Sequence, residues 1–425
     1  MPNSMLFVVF LVLLLLRVPI GIALGVVSVA FFSISGDVAL TMVPQRMASG
    51  ISGYIILAVP FFLLTGYLMN TGGITKRIFT FADCVVGHIR GGLGHVNVIA
   101  SLIFSGMSGS AIADAAGLGA VEINAMKEKG YDAGFSAAIT SASSIIGPIF
   151  PPSAPMIIFG VTASVSVVRL FMAGFVPGIL LSIGLMIVTY IVARVRNYPV
   201  RERARPKEIF QSFRQAFWAL MTPFLILAGI FSGVFTPTEA AAVAVIYTMF
   251  ISIFVYRDLR VRDLPTIFGD VANETGVVMM LLAGGSVFGF VLAMEQIPTQ
   301  VTVFILSLSG NPVVILLLVN VLLLFIGLFM PPVPVILILS PILLPVVVNL
   351  GYSPVHFGVI MVFNLMLGLL TPPVGSLLYV SARIARVPVD TVIKSLFVYY
   401  PLFLLMLLAI TFIPGLSMWL PELLR

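Results

Sequence analysis

The sequence has little charge for its length. Only 9% of its 425 residues are charged and 60% are hydrophobic, whereas a soluble domain carries about 25% charged residues. This composition excludes a soluble globular protein. Long apolar runs recur along the chain and predict about ten to fourteen membrane spans or part-spans. The runs lack the alternation of a transmembrane β-barrel, so we expect helices.

Several functional groups are also scarce. The single cysteine, Cys84, excludes an intrachain disulfide and a thiolate metal cluster. The three histidines, His88, His95 and His356, have no metal-ligand spacing. No G-K-[ST] phosphate loop is present, so we expect no ATP-driven step in this chain. The formal charge of +6 resides in short loops, as the positive-inside rule expects, and nucleic acid is not a predicted partner.

A basic segment, "RVRNYPVRERARPKEIFQSFR" (Arg194–Arg214), separates two halves of similar length. The segment predicts a cytoplasmic linker at 194–216 between a first repeat, 1–193, and a second repeat, 217–425. The halves match best at a shift of 221 residues, mainly at glycines and prolines, which fix backbone shape. The matched pairs are Gly106 with Gly327, Gly130 with Gly351, Gly147 with Gly368, Pro151 with Pro372, and Pro152 with Pro373.

The basic loops also indicate how the two repeats are oriented. With the linker inside, most of the 22 basic residues fall on the cytoplasmic face only if the repeats have opposite orientations. Both termini are then periplasmic. We therefore predict an all-α polytopic membrane protein built from inverted structural repeats.

Each repeat contains two interrupted apolar segments. We predict re-entrant hairpins at about 93–129 and 311–350, and broken helices at about 132–167 and 354–381. The stretch "SIIGPIFPPSAPMIIFG" carries four prolines in the first broken helix. Broken backbone at membrane depth is tolerated only inside protein or beside a water-filled cavity. Its carbonyls suit an alkali cation, and its helix N-termini suit an anion. The alternative is that these clusters are kinks for close helix packing.

Local signals predict helix starts and the roles of two acids. Thr236, Pro237 and Glu239 read as N-cap, first-turn proline and capping-box acid, and Asp132 and Ser353 read as N-caps. Asp114 lies in the first hairpin, where a carboxylate is either functional or a brace of the hairpin tip. Glu122, nearer the cytoplasmic end, is expected to be solvated or salt-bridged.

The segments "SGMSGSAIADAAGLGAV", "GPIFPPSAPMI", "FTPTEAAAVAV" and "GLLTPPVGSLLYV" resemble those of the large membrane subunit of tripartite ATP-independent periplasmic (TRAP) transporters. The resemblance covers essentially the whole chain. It implies an elevator-type transporter of the bacterial inner membrane, driven by a sodium gradient, that imports small organic anions such as C4-dicarboxylates, sialic acid or sugar acids. It also implies a small four-helix membrane subunit and a periplasmic substrate-binding protein as partners. We expect the small subunit to be a separate chain.

The resemblance further implies two sodium sites, each between a hairpin tip and a broken helix. The first would use Ser105, Ser108, Gly147 and Pro151, and the second Gly327, Met330, Gly368 and Thr371. Ser110, Asp114, Ser153 and Ser376 are the candidate substrate ligands, and the hydroxyls of the three serines can serve either a cation or an anion.

Three other functions remain open at this point. A stand-alone sodium–carboxylate symporter of similar fold would work without the two partners. An ion channel would use the same carbonyls as a filter, although two opposed hairpins suit alternating access better. An intramembrane enzyme would need a catalytic dyad or metal cluster at membrane depth; we find neither in the sequence and expect no enzymatic activity.

Overall fold

The computed structural model describes residues 3–35 and 39–424, without the side chains of residues 3–5 and 106–108. All regular elements in this part of the chain are helical. Those before the linker are α1 (Asn3–Leu15), α2 (Ile20–Ser35), α3 (Met42–Ile51), α4 (Ala58–Thr71), α5 (Ile74–Val86), α6 (Gly92–Ser108), α7 (Ala111–Ala116), α8 (Leu118–Glu128), α9 (Ala133–Ser144), α10 (Ile146–Ile149), α11 (Ala154–Thr162) and α12 (Val167–Val195).

The helices after the linker are α13 (Pro206–Phe231), α14 (Pro237–Phe250), α15 (Leu264–Met294), α16 (Ile297–Leu308), α17 (Pro312–Gly327), α18 (Pro332–Asn349), α19 (Pro354–Leu370), α20 (Ser376–Ala385), α21 (Val389–Leu396), α22 (Tyr400–Phe412) and α23 (Gly415–Leu423). Short 3₁₀ turns at Tyr54–Leu57 and Val261–Asp263 and a π-turn at Ile251–Val255 extend three of the helices.

Seven helices among the described residues are long and apolar enough to cross a membrane, and the bent pair α21–α22 allows an eighth. Seven further apolar helices are shorter, including α6, α17, α19 and α20. Large apolar side chains such as Leu15, Phe224 and Val321 lie exposed, as lipid-facing residues do. The prediction of an all-α polytopic membrane protein is confirmed.

The helix bounds agree with the predicted shift of 221 residues. Ala133 begins α9 and Pro354 begins α19, and the helical segments before the two Pro-Pro pairs end at Ile149 and Leu370. The bonds Pro151–Pro152 and Pro372–Pro373 are both cis. The segments predicted to form hairpins correspond to α6 with α7–α8 and to α17 with α18, and their re-entrant course stays a prediction. The inverted orientation and the division into 1–193, 194–216 and 217–425 stay predictions.

The helices are described as two groups, which contact each other through α5 on α6 and α15 on α18. The scaffold group comprises α2–α5 and α13–α15, in which α2 and α3 pack on α15 and α4 packs on α14. The hairpin group comprises α6–α12 and α17–α23. Its two halves interlock, because α9 packs on α20 and α21 while α11 packs on α18. The two broken helices are therefore held at the centre of one buried core.

Helix starts follow the local signals at most positions. Thr236 accepts a hydrogen bond from the Glu239 amide, and Glu239 accepts one from the Thr236 amide, so the predicted capping box is confirmed. Ser353 accepts from the Val355 amide and caps α19 as predicted.

Asp132 does not cap α9, so that prediction is wrong. Its carboxylate accepts instead from Tyr198 Oη at 2.6 Å and from Arg196 Nη1 at 3.0 Å, both residues of the linker. The Tyr198 ring lies on the rings of Tyr131 and Phe135, with centroids 4.5 and 5.1 Å apart. Burial, then the hydrogen bond to Asp132, raises the pKa of Tyr198 to about 12, so the phenol stays a donor at neutral pH. The linker is thereby fastened to the start of α9.

Candidate functional site

The tip of the first hairpin packs directly on the first helix break. Gly109 adopts φ +60°, and a Cβ there would lie 3.0 Å from both the Ala154 amide nitrogen and the Pro152 carbonyl oxygen. Only glycine combines this conformation with such a close approach at low cost. At the break, Ser153 accepts from the Met156 amide at 3.2 Å and donates to the Pro148 carbonyl. Ser153 is fully buried and acts as the N-cap of α11.

Three predicted site residues meet beneath this tip. Asp114 is 1% exposed, and its Oδ2 occupies the space into which a Cβ on Gly147 would project. The Ser105 Cβ lies 3.9 Å from that same position, and Ser105 Oγ donates to the Leu102 carbonyl. The Asp114 carboxylate therefore lies against the Gly147 backbone with the Ser105 side chain nearby, and hard oxygen donors such as a carboxylate suit sodium.

The second tip and break make an equally close contact. A Cβ on Gly368 would lie 2.5 Å from both the carbonyl carbon and oxygen of Gly327. Thr371 Oγ1 donates to the Leu367 carbonyl at 2.7 Å, and Tyr400 Oη donates to the Leu370 carbonyl at 2.8 Å. The Leu367 and Leu370 carbonyls near the second break thus already accept hydrogen bonds from side-chain hydroxyls. Met330 is half-buried, and its amide donates to the Ile326 carbonyl.

For the remaining predicted site residues the structure shows mainly their position and burial. The side chain of Ser108 lies outside the described part of the structure. Pro151 lies in the buried break after α10, and Ser376 begins α20 and is half-buried. Asp114 faces Gly147, whereas Ser110, also predicted as a substrate ligand, caps α7 and borders a cavity. Sodium ligation and substrate contact at these residues stay predictions.

A cavity of about 580 Å³ lies between the two helix groups. This is within the range of about 300–1,000 Å³ typical of small-molecule sites. Both hairpin tips and both broken helices border the cavity on one side, and α4 and α15 border it on the other. Its wall includes Gly109, Ser110, Pro148, Ala154, Pro155, Pro331, Pro332, Met366 and Leu369 from the hairpin group, and Leu63, Tyr67, Asn70, Glu274 and Val277 from the scaffold group.

Helix N-termini face this cavity from two directions. Ala154 and Pro332, the first residues of α11 and α18, both border it. The positive ends of the two helix dipoles therefore point toward the same space. The tertiary structure brings these two helix starts together.

Tyr67 and Glu274 are functional candidates that the sequence analysis missed. Tyr67 Oη in α4 donates to Glu274 Oε1 in α15 at 2.7 Å, although the two residues are 207 positions apart in the sequence. Both side chains border the cavity. The available signal was an acid pair, Asp270 and Glu274, four residues apart inside the long apolar helix α15. An ionisable residue within a membrane helix is a functional candidate by default.

Buried polar side chains join each hairpin to its broken helix. In the first half, Asn97 donates to Thr140 Oγ1 at 2.7 Å, and Ser143 donates to Asn97 Oδ1 at 2.5 Å. In the second half, Asn364 donates to Asn320 Oδ1 at 2.7 Å. These bonds link α6 to α9 and α17 to α19. Each hairpin is therefore held to its break by interhelical hydrogen bonds as well as by packing.

Glu122 contradicts the expectation of a solvated or salt-bridged acid. It is 1% exposed, and neither of its carboxylate oxygens has a hydrogen-bond partner among the described residues. The reason is that α8 packs against α5, α6, α9 and α20, so the face that carries Glu122 is enclosed. A buried carboxylate without a partner destabilises the fold.

We therefore expect Glu122→Gln to stabilise the protein, because the amide keeps the shape and removes an ionisable group from an enclosed site. The expected gain is about 1–3 kcal/mol, read as a rise of a few degrees in the apparent unfolding temperature of the detergent-purified protein. Glu128→Gln, an exposed change on the same helix, is the matched control and should leave that temperature unchanged. A lower unfolding temperature for Glu122→Gln would mean that its carboxylate has a stabilising partner.

Comparisons with known proteins identify the family of this chain. The family model of the DctM component of the tripartite ATP-independent periplasmic transporter matches residues 7–416. The chain is 45% identical over 412 residues to the sialic acid TRAP transporter large permease protein of Vibrio cholerae, covering 97% of this chain and 96% of that protein. It is 42% identical to the C4-dicarboxylate TRAP transporter large permease protein of Pseudomonas aeruginosa, over 87% of this chain and 86% of that protein.

The fold resembles a solved structure of low sequence identity. The YdaH transporter of Alcanivorax borkumensis superposes with a TM-score of 0.62 at 14% identity, covering 90% of this chain and 89% of that one. The similarity concerns the fold alone. The match to the family model and the identity with the two permeases show that the chain belongs to the DctM family and is a large permease component of a TRAP transporter.

Proposed function

We propose that this permease imports a small organic anion together with sodium across the bacterial inner membrane. The observation that carries the proposal is the cavity at the border of the two helix groups, where both hairpin tips and both broken helices meet. Movement of the hairpin group past the scaffold group would expose such a cavity to each side of the membrane in turn. The relatives transport sialic acid or C4-dicarboxylates, and the substrate is proposed to be of these classes.

Sodium is proposed to bind between each tip and its break. Asp114, Ser105 and Gly147 support the first site, because the buried Asp114 carboxylate lies against Gly147 with the Ser105 side chain nearby. Gly327 and Gly368 support the second site through their closely packed backbones, and the Thr371 amide donates to the Gly368 carbonyl. A bound cation beside the cavity would offset the charge of an anionic substrate.

The proposed assembly includes a small four-helix membrane subunit and a periplasmic binding protein that delivers the substrate. In the proposed orientation both termini are periplasmic and the 194–216 linker is cytoplasmic, since most basic loops then lie inside.

Uptake into proteoliposomes tests the proposal. The permease would be reconstituted with the small subunit and with a binding protein specific for either sialic acid or a C4-dicarboxylate. We expect saturable accumulation of one labelled anion that stops when the sodium gradient is collapsed by an ionophore. Equal uptake by this chain alone would favour a stand-alone symporter. Flux that neither saturates nor follows the sodium gradient would favour a channel.

A further inference from the structure

The charge on the described cavity wall is negative and lies on one side of the cavity. Its polar side chains are Tyr67, Asn70, Ser110 and Glu274, and no lysine or arginine of the described chain borders it. Glu274 is thus the single charged side chain on the wall, and it belongs to the scaffold group. An anionic substrate would meet helix N-termini on one side of the cavity and a carboxylate on the other.

The Tyr67–Glu274 pair determines which ligand groups the scaffold-group side of the cavity can bind. A carboxylate offers about four acceptor positions, and the Tyr67 hydroxyl occupies one of them at 2.7 Å. Further positions suit hydroxyl or amide N–H donors of a ligand. Asp270 lies four residues earlier on α15, so both acids fall on one side of the helix and add to the negative potential there.

We propose that Glu274, positioned by Tyr67, makes this permease selective for a hydroxylated monocarboxylate of the sugar-acid class and rejects dicarboxylates. The inference rests on the proposed function, since it assumes that the cavity holds the transported anion. The single carboxylate of such a substrate lies toward the hairpin group, and its hydroxyl groups donate to Glu274. A second substrate carboxylate in that position would face a like charge, which is unfavourable.

Ligand binding to the purified full-length permease tests this selectivity without a binding protein. The shift in apparent unfolding temperature would be titrated in saturating sodium chloride with N-acetylneuraminate and, separately, with succinate. For the wild type we expect N-acetylneuraminate to bind at least about tenfold more tightly than succinate. Glu274→Gln removes the negative charge and should reduce the preference by about tenfold, mainly through tighter succinate binding.

Two variants separate charge from other effects. Tyr67→Phe keeps the Glu274 charge and should still reject succinate. Glu295→Gln lies at the end of the same helix and outside the cavity wall, so it should match the wild type.

Equal wild-type affinity for the two anions, or an unchanged preference in Glu274→Gln, would overturn the inference. Sodium-coupled uptake could still hold in either case. Binding of neither anion to the folded protein would instead remove the proposed anion site, and the inference with it. The wild-type comparison needs no variant, so the inference stays testable if Glu274→Gln does not fold.

Discussion

Replacement of Gly368 by alanine is expected to abolish transport. The added Cβ would lie 2.5 Å from the carbonyl carbon and oxygen of Gly327 and 2.7 Å from its Cα. These are backbone atoms, so no side-chain rotation can relieve the clash, and α17 must move away from α19. Overpacking of this kind costs about 1–3 kcal/mol, and here it displaces the second hairpin tip from its break. Uptake in proteoliposomes measures the loss.

A Cβ added to Gly368 would clash with Gly327, whereas a Cβ added to Gly327 would not clash with Gly368. This difference supplies control variants for the prediction. A Cβ on Gly327 would lie 3.4 Å from the Gly368 Cα, an ordinary van der Waals contact, and one on Gly289 in α15 would meet nothing within 4 Å. We therefore expect Gly327→Ala to retain much of its activity and Gly289→Ala to match the wild type. Normal uptake by Gly368→Ala would show that the two backbones separate without cost.

Replacement of Asp114 by asparagine is expected to weaken sodium binding by about 10- to 100-fold, equivalent to about 1.4–2.8 kcal/mol. Asparagine has nearly the same shape, so the packing of Oδ2 against Gly147 is preserved while the negative charge is lost. Among hydrogen bonds, those to charged groups contribute about 1.5–3 kcal/mol and those between neutral groups about 0.5–1.5 kcal/mol, and a similar loss is expected here. The sodium concentration for half-maximal uptake is the measurement.

Glu122→Gln is the matched control for this second prediction. Both changes neutralise a buried carboxylate of the first hairpin, but it is Asp114 whose Oδ2 lies against the predicted sodium-site residue Gly147. Glu122→Gln should therefore leave the sodium dependence as in the wild type. An unaltered sodium dependence in Asp114→Asn would remove Asp114 from the site and favour its role as a brace of the hairpin tip.

Local sequence patterns predicted the helical architecture because each depends on neighbouring residues. Proline and glycine break helices wherever the chain later lies, so "FPPSAP" and "LTPPVG" marked the breaks after Ile149 and Leu370. The capping box at Thr236 and Glu239 is likewise complete within four residues.

Side-chain partners depend on distant parts of the chain, and the sequence predictions were less successful there. Asp132 has the sequence context of an N-cap, but Tyr198 and Arg196 of the linker engage its carboxylate instead. Glu122 has the context of a solvated acid, but α9 and α20 enclose its helix. Hydropathy patterns carry no information on which helix covers which face.

The sequence by itself determined that this is a helical membrane protein of the TRAP permease type, with two pairs of interrupted segments and a basic linker between them. Composition and backbone-breaking residues suffice for this, because the bilayer and the peptide backbone impose the same rules on every such chain. Only the tertiary structure decided that the two tips and two breaks share one cavity. It also decided that Gly327 touches Gly368 and that Tyr67 holds Glu274 on the opposite wall. These contacts arise from the packing of helices far apart in sequence, which no local pattern encodes.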